Sequence, residues 1–184
     1  MKVNSSAFEI LYERNVSLLA NYGKRICQDK ELVKDAIQDV YVDLWRNRSN
    51  LGRTDSIKYY LLKALRRNLV KKLVAAKNAD TRNQSAEDVL ASFETSHDFT
   101  LMALEIETEK IRQVNELLDS LPARQKEAIY LRFYNGFNFT EISSIMGINQ
   151  QSAYNMVFRA IESLREKVAS TTILLQIIAF FELL

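Results

Sequence analysis

The side chains best suited to reaction chemistry are few. His97 is the only histidine and Cys27 the only cysteine. A nucleophile needs a base beside it, and that base needs a group to orient it. One of each residue offers no such constellation, so no catalytic residue is assigned and no enzyme is expected. A lone cysteine also excludes an internal disulfide and a cysteine-based zinc site. The third option is a set of polar residues in Asp35–Ala36–Ile37–Gln38–Asp39–Val40–Tyr41–Val42–Asp43–Leu44–Trp45. Asp35, Gln38, Asp39 and Asp43 can share the outer face of a helix, and paired carboxylates can serve acid/base work or bind a metal. No second ligand cluster or nucleophile accompanies them. A surface that docks on a partner is the better reading, a merely solvated face the alternative, and neither metal nor cofactor is expected.

Charge points to a polyanion instead. The net charge is only +2, from 25 basic and 23 acidic residues. That small total hides a strong asymmetry. Between Arg46 and Lys77 there are ten basic residues and one acid, and between Asn78 and Val114 eight acids oppose three bases. In the basic block, Arg48, Asn50 and Arg53 fall in a loop. Lys58, Lys63, Arg66, Arg67, Asn68 and Lys71 follow on a helix with Tyr59 and Tyr60 among them. Cations can track phosphates while aromatics and amides hold unstacked bases. The alternatives are a wet helix face for the cations and core positions for the tyrosines. A second constellation lies near the end of the chain: Gln150, Gln151, Ser152, Asn155 and Arg159. Glutamine and asparagine can pair with adenine edges in a major groove, and arginine with guanine or phosphate.

The elements that must position these residues are helical. Four glycines and one proline are too few for an all-β fold. Apolar residues recur at helical spacing in three stripes: Phe8, Leu11, Tyr12, Leu19, Tyr22 and Ile26; Val33, Ala36, Ile37, Val40 and Leu44; and Ile57, Leu61, Ala64, Leu65, Leu69 and Leu73. Asp29 is placed to cap the second helix, and Asp55 or Ser56 to start the third. Three such stripes form one bundle. Residues from Asn78 to about Thr100 hold no sustained stripe and read as a linker, after which a pattern resumes through Leu104, Ile111, Val114 and Leu118. Pro122 suits the first position of a helix that stops near Asn135–Gly136. Asn138 and Glu141 make a capping box, Gly147 ends the short helix, and Asn149 caps the next, with Ala153 and Val157 facing inward. A short helix, a tight turn and a longer helix form a helix-turn-helix; an αα-hairpin that binds nothing is the alternative.

These residues match a family. The chain resembles the extracytoplasmic-function subfamily of bacterial sigma-70 factors over most of Phe8–Val168. The region 2 likeness rests on Phe8, Leu11, Tyr12, Tyr22, Arg25, Ile26, Asp35, Gln38–Asp39–Val40–Tyr41, Leu44–Trp45 and Arg67–Asn68. The region 4 likeness rests on Leu121–Pro122–Ala123–Arg124–Gln125, Leu131–Arg132, Gly136–Phe137–Asn138–Phe139, Glu141–Ile142, Met146–Gly147–Ile148, Ser152, Arg159–Ala160 and Leu164–Arg165. The resemblance implies an all-α protein of two small helical domains: region 2 over residues 1–78, a linker over 79–110, region 4 over 111–168, and an apolar tail over 169–184. It implies a promoter-recognition subunit of RNA polymerase. Asp35, Gln38, Asp39 and Asp43 would dock on core polymerase. Arg48, Asn50, Arg53, Lys58, Lys63, Arg66, Arg67, Asn68 and Lys71 would hold the melted −10 element. Gln150, Gln151, Ser152, Asn155 and Arg159 would read the −35 element. It further implies a cytoplasmic location and an anti-sigma partner. Lys72, Tyr154 and Met156 depart from the family pattern, which often has Asp at the first and Lys or Arg at the other two. A stand-alone helix-turn-helix regulator is the other reading. The tail is shorter than the ~20 residues of a membrane-spanning helix, and is expected to pack on region 2 or region 4 or to serve as an anti-sigma docking element, with membrane contact the weaker alternative.

Overall fold

The computed structural model describes residues 5–48, 56–80, 93 and 108–167. They fall into two compact units, one within Met1–Ser92 and one within Phe93–Leu184. Every element among them is helical.

The first unit is a three-helix bundle of α1 (Ser5–Ile26), α2 (Lys30–Arg46) and α3 (Ile57–Asp80). Its core takes Leu19, Tyr22 and Ile26 from α1, Val33, Ala36, Ile37, Val40, Tyr41 and Leu44 from α2, and Leu61, Leu62, Leu65 and Leu69 from α3. Asp29 caps α2 as expected, its carboxylate accepting from the N–H groups of Glu31 and Leu32 at 3.0 and 3.1 Å. Ser56 starts α3, its Oγ accepting from the Tyr59 N–H at 3.2 Å. Gly23 is required where α1 meets α2, because a Cβ there would lie 2.6 Å from Val33 Cγ1. The α1 stripe is only partly internal: Phe8 and Leu11 are half-buried and Tyr12 is 43% exposed. Cys27 is buried, and burial pushes its thiol up from the ordinary value. It is a packing residue rather than a nucleophile.

The second unit contains α4 (Thr108–Asp119), α5 (Ala123–Ile129), α6 (Phe139–Met146) and α7 (Gln150–Lys167). Pro122 sits one place earlier than expected. It is the N-cap of α5 rather than its first residue, with φ −55° and ψ 144°. Its carbonyl accepts from Gln125 and Lys126. The chain then widens into a π-helical turn over Tyr130–Tyr134 and leaves the helix at Asn135–Gly136, where Gly136 has φ +72°. Phe93, in the stretch read as linker, is buried and packs on Tyr130 with ring centroids 6.1 Å apart. α3 runs two residues past the expected boundary at 78, and α4 begins three residues before 111. His97, Asn50, Arg53, Asp55 and the tail 169–184 lie outside the described residues.

Candidate nucleic-acid and partner interfaces

The helix-turn-helix is built almost wholly from local signals. Asn138 Oδ1 accepts from the Glu141 N–H and Glu141 Oε2 accepts from the Asn138 N–H, both at 2.9 Å, closing the capping box. Gly147 ends α6 at φ +68°, a left-handed conformation that costs glycine little. The Ile148 N–H reaches back to the Ser143 carbonyl at 2.9 Å, satisfying an acceptor at the helix end. Asn149 caps α7, accepting from the Ser152 N–H at 2.7 Å. Ala153, Val157, Ala160 and Leu164 face inward and are buried.

The outward face of α7 carries the five expected DNA-reading residues. Gln150, Gln151 and Arg159 are exposed, and Ser152 and Asn155 are half-buried. Gln151 Nε2 donates to Asn155 Oδ1 at 3.0 Å, so two of the amides hold each other in place one turn apart. Interleaved with them is a feature that pattern reading missed. Tyr154 and Phe158 are 47% and 48% exposed. Their rings are nearly parallel with centroids 6.2 Å apart, and Phe139 meets Tyr154 edge-on at 5.3 Å. Arg132 lies over Phe139 at 5.1 Å and donates to the Phe137 carbonyl at 3.0 Å. The signal was available: two aromatics four apart on α7, each following a residue of the inward pair Ala153 and Val157 and so turned by ~100° away from it.

In the first unit the basic residues separate into different environments. Lys63, Arg67 and Lys71 are exposed and recur every four residues, making one cationic stripe on α3, with Asn68 half-buried beside it. Lys63 Nζ donates to Tyr59 Oη at 3.3 Å and lies 5.6 Å from that ring. Arg66 departs from expectation. It is 6% exposed, because its position on α3 turns inward beside Leu62, Leu65 and Leu69, so it does not join the open stripe. Lys58 is half-buried, and desolvation lowers its pKa from the ordinary value. Arg48 folds back on α2: Nη1 donates to the Trp45 carbonyl at 2.8 Å and the guanidinium lies over the indole at 4.4 Å. Tyr59 and Tyr60 are both half-buried, between the two readings.

Asp35, Gln38, Asp39 and Asp43 are all exposed on α2. Asp39 is tied to α3 by Lys72, whose Nζ lies 2.8 Å from the carboxylate. The bond to Asp39 raises the Lys72 pKa. Gln38 instead borders an open groove of about 770 Å³ between α1 and α2. The groove is floored by Phe8, Tyr12, Ile37, Tyr41, Val42 and Trp45 and rimmed by Lys24, Lys30, Lys34 and Arg46. Its aromatics interlock edge to face: Phe8 meets Tyr41 at 5.9 Å and Trp45 at 5.0 Å, and Tyr12 meets Tyr41 at 4.8 Å. Tyr41 Oη is buried without a hydrogen-bond partner. Burial, with a smaller contribution from Tyr12, pushes its pKa up to about 12.

A helix-turn-helix with an open amide-bearing helix, together with a bundle that exposes a cationic stripe and an apolar groove, defines a two-unit helical protein fitted to nucleic acid and to a protein partner. Comparison with known proteins narrows that class. The model of sigma-70 region 2 matches residues 11–79, and that of sigma-70 region 4 matches residues 111–164, together more than half of the chain. The chain belongs to the sigma-70 family, in its extracytoplasmic-function subfamily. An ECF RNA polymerase sigma factor SigK from Mycobacterium ulcerans is 25% identical over 160 residues, covering 86% of this chain and 84% of the relative. One from Mycolicibacterium vanbaalenii is 24% identical over 164 residues, covering 89% and 82%. Among solved structures, the sigma factor RpoE from Bartonella quintana, in complex with the anti-sigma factor NepR, has a similar fold. Its TM-score is 0.61 at 19% identity, covering 89% of this chain and 98% of that one. CnrH, in complex with the cytosolic domain of CnrY, gives a TM-score of 0.53 at 17% identity, covering 90% and 89%.

Proposed function

We infer that this chain is a sigma factor that binds core RNA polymerase and directs promoter-specific transcription initiation. The observation that carries the reading is the order of parts: a region 2 bundle with an open docking face, then a region 4 helix-turn-helix with an open reading face. A stand-alone regulator needs the second unit only and leaves the first without a role.

The division of labour follows from exposure and charge. Asp35, Gln38, Asp39 and Asp43 dock on polymerase, with Val42 and Trp45 of the groove supplying desolvated apolar contact. Lys63, Arg67 and Lys71 track the phosphates of the opened −10 strand, Lys58 and Asn68 flank them, and Arg48, Asn50 and Arg53 approach from the loop; Arg66, being buried, takes no part. Gln150, Gln151, Ser152, Asn155 and Arg159 read the −35 duplex. Recognition rather than reaction is the role, so the chain is not an enzyme. It works in the cytoplasm, where polymerase and promoters are. The Bartonella quintana structure is a complex with an anti-sigma factor, and a regulator of that kind is the further partner. A net charge of +2 favours modest DNA affinity in isolation, with polymerase supplying the remainder.

The deciding experiment mixes the purified chain with core polymerase and genomic DNA and maps transcript starts. The expected result is a set of starts sharing −35 and −10 sequences that core polymerase alone does not use. Tight sequence-specific duplex binding without polymerase, and no new starts with it, selects the stand-alone regulator.

A further inference from the structure

Tyr154 stands on the open side of α7 and has no part in the polar reading set. It is 47% exposed. Its ring is nonetheless held from two directions. Phe139, the first residue of α6, meets it edge-on at 5.3 Å, and Phe158 lies nearly parallel to it at 6.2 Å. A half-open side chain steadied in this way loses little rotamer freedom when it makes a contact. Its place on the helix is also suited to reading. Tyr154 is the fifth residue of α7, in the N-terminal part that a helix-turn-helix lays against base edges. It stands ~60° round the helix from Gln151 and ~4.5 Å along it. Phe158 is a further turn from that end, which makes it a support for Tyr154 rather than the reader.

What the ring meets follows from its neighbours. Gln151 Nε2 donates to Asn155 Oδ1 at 3.0 Å. Gln151 Oε1 is left to accept from adenine N6, and the remaining amide hydrogens to donate to N7. Adenine pairs with thymine, whose C5-methyl is an apolar group on the major-groove edge and a fit partner for an aromatic ring. We propose that Tyr154 is a specificity-determining residue that packs its ring on a thymine methyl beside the adenine read by Gln151 and Asn155. An uncharged ring adds little general attraction for phosphate, so its contribution is sequence preference. The inference rests on the reading of α7 as a duplex-reading helix and extends it to a base that the polar residues leave unread.

The test uses the full chain and a pool of random-sequence DNA duplexes enriched for retention by it at low salt. The enriched pool is copied once with thymidine triphosphate and once with deoxyuridine triphosphate. Deoxyuridine pairs as thymidine does and lacks only the methyl group. The parent should retain the deoxyuridine copy about one quarter as well, the size of one methyl group taken out of water. Tyr154→Phe should keep that ratio. Tyr154→Ala should bring it to one, and so should Tyr154→Arg, whose stem still packs on Phe139. Equal retention of both copies by the parent overturns the proposal. So does a ratio that survives Tyr154→Ala, since another residue then meets the methyl. An equal fall for both copies in Tyr154→Phe assigns the contact to the hydroxyl and a phosphate, and overturns it too. If circular dichroism shows Tyr154→Ala to be unfolded, Tyr154→Arg decides. A pool that never enriches also overturns the proposal. Start-site mapping reports separately on the sigma-factor role: new starts together with equal retention leave that role standing and remove the methyl contact alone.

Discussion

The two units expose functional surfaces of different origin. In the second unit, the proposed reading face follows from caps and turns within a few residues of one another: Asn138 with Glu141, Gly147, and Asn149 with Ser152. In the first, the proposed docking face depends on which helix lies beside which. Asp39 is held by Lys72 from α3, and the groove is lined jointly by residues of α1 and α2. The contrast shows that a helix-turn-helix is specified locally, whereas a docking surface on a bundle is specified by packing.

That contrast can be broken or sharpened by mutation. The largest effect is expected from the core that aligns the helices of the first unit. Leu65→Ala should cost about 2–5 kcal/mol of stability in urea denaturation, since Leu65 is fully buried. A loss below 1 kcal/mol would mean that packing does not hold the docking face together. Next is Trp45→Ala, which should weaken binding to core polymerase about 30-fold, the size of an interfacial hot spot. Lys34→Ala on the rim should change it little, and equal losses from both would point to charge rather than apolar contact. Then comes Asn149→Ala, which should cost about 1 kcal/mol by removing a cap from α7. Thermal unfolding measures it, and a loss several times larger would show that the second unit is less locally specified than its caps suggest.

The smallest effect is expected at Lys72→Met. The pair with Asp39 is partly exposed and should contribute no more than about 1 kcal/mol. The sign with pH is definite. The folded-state pKa of Lys72 lies above its ordinary value of 10.5, so the contribution is complete below 10.5 and is lost as pH rises through the folded value. Tyr41, raised from 10.0 to about 12, adds an alkaline loss of the same sign. Denaturation midpoints from pH 9 to 12 should therefore fall in the parent, and fall less in the variant carrying both Lys72→Met and Tyr41→Phe. A parallel pH dependence in the two proteins would exclude these groups as its source.

Much of the fold was legible because periodicity and capping are properties of short stretches. The α2 stripe of Val33, Ala36, Ile37, Val40 and Leu44 is buried as read, and Asp29, Asn138 and Asn149 cap where expected. Misreadings arose where two segments distant in the chain meet. Tyr12 was assigned to the core, but α1 opens there into the groove and leaves it exposed. Arg66 was grouped with the basic stripe, but the turn of α3 carries it inward. Phe93 was given to the linker, though it packs on Tyr130. The exposed pair Tyr154 and Phe158 was legible in principle, but aromatics read by composition alone suggest core.

By itself, then, the sequence determined the helical class, the boundaries set by caps and glycines, the position of the helix-turn-helix and the family. Each of these depends on interactions within one or two turns or on a pattern of residue types along the chain. The tertiary structure decided which of the described basic residues on α2 and α3 remain open, how Asp39 is engaged, and that an aromatic-floored groove lies between α1 and α2. Those outcomes depend on the rotation and separation of packed helices. A shift of one residue turns a helical side chain by ~100°, enough to move a charge from water to core.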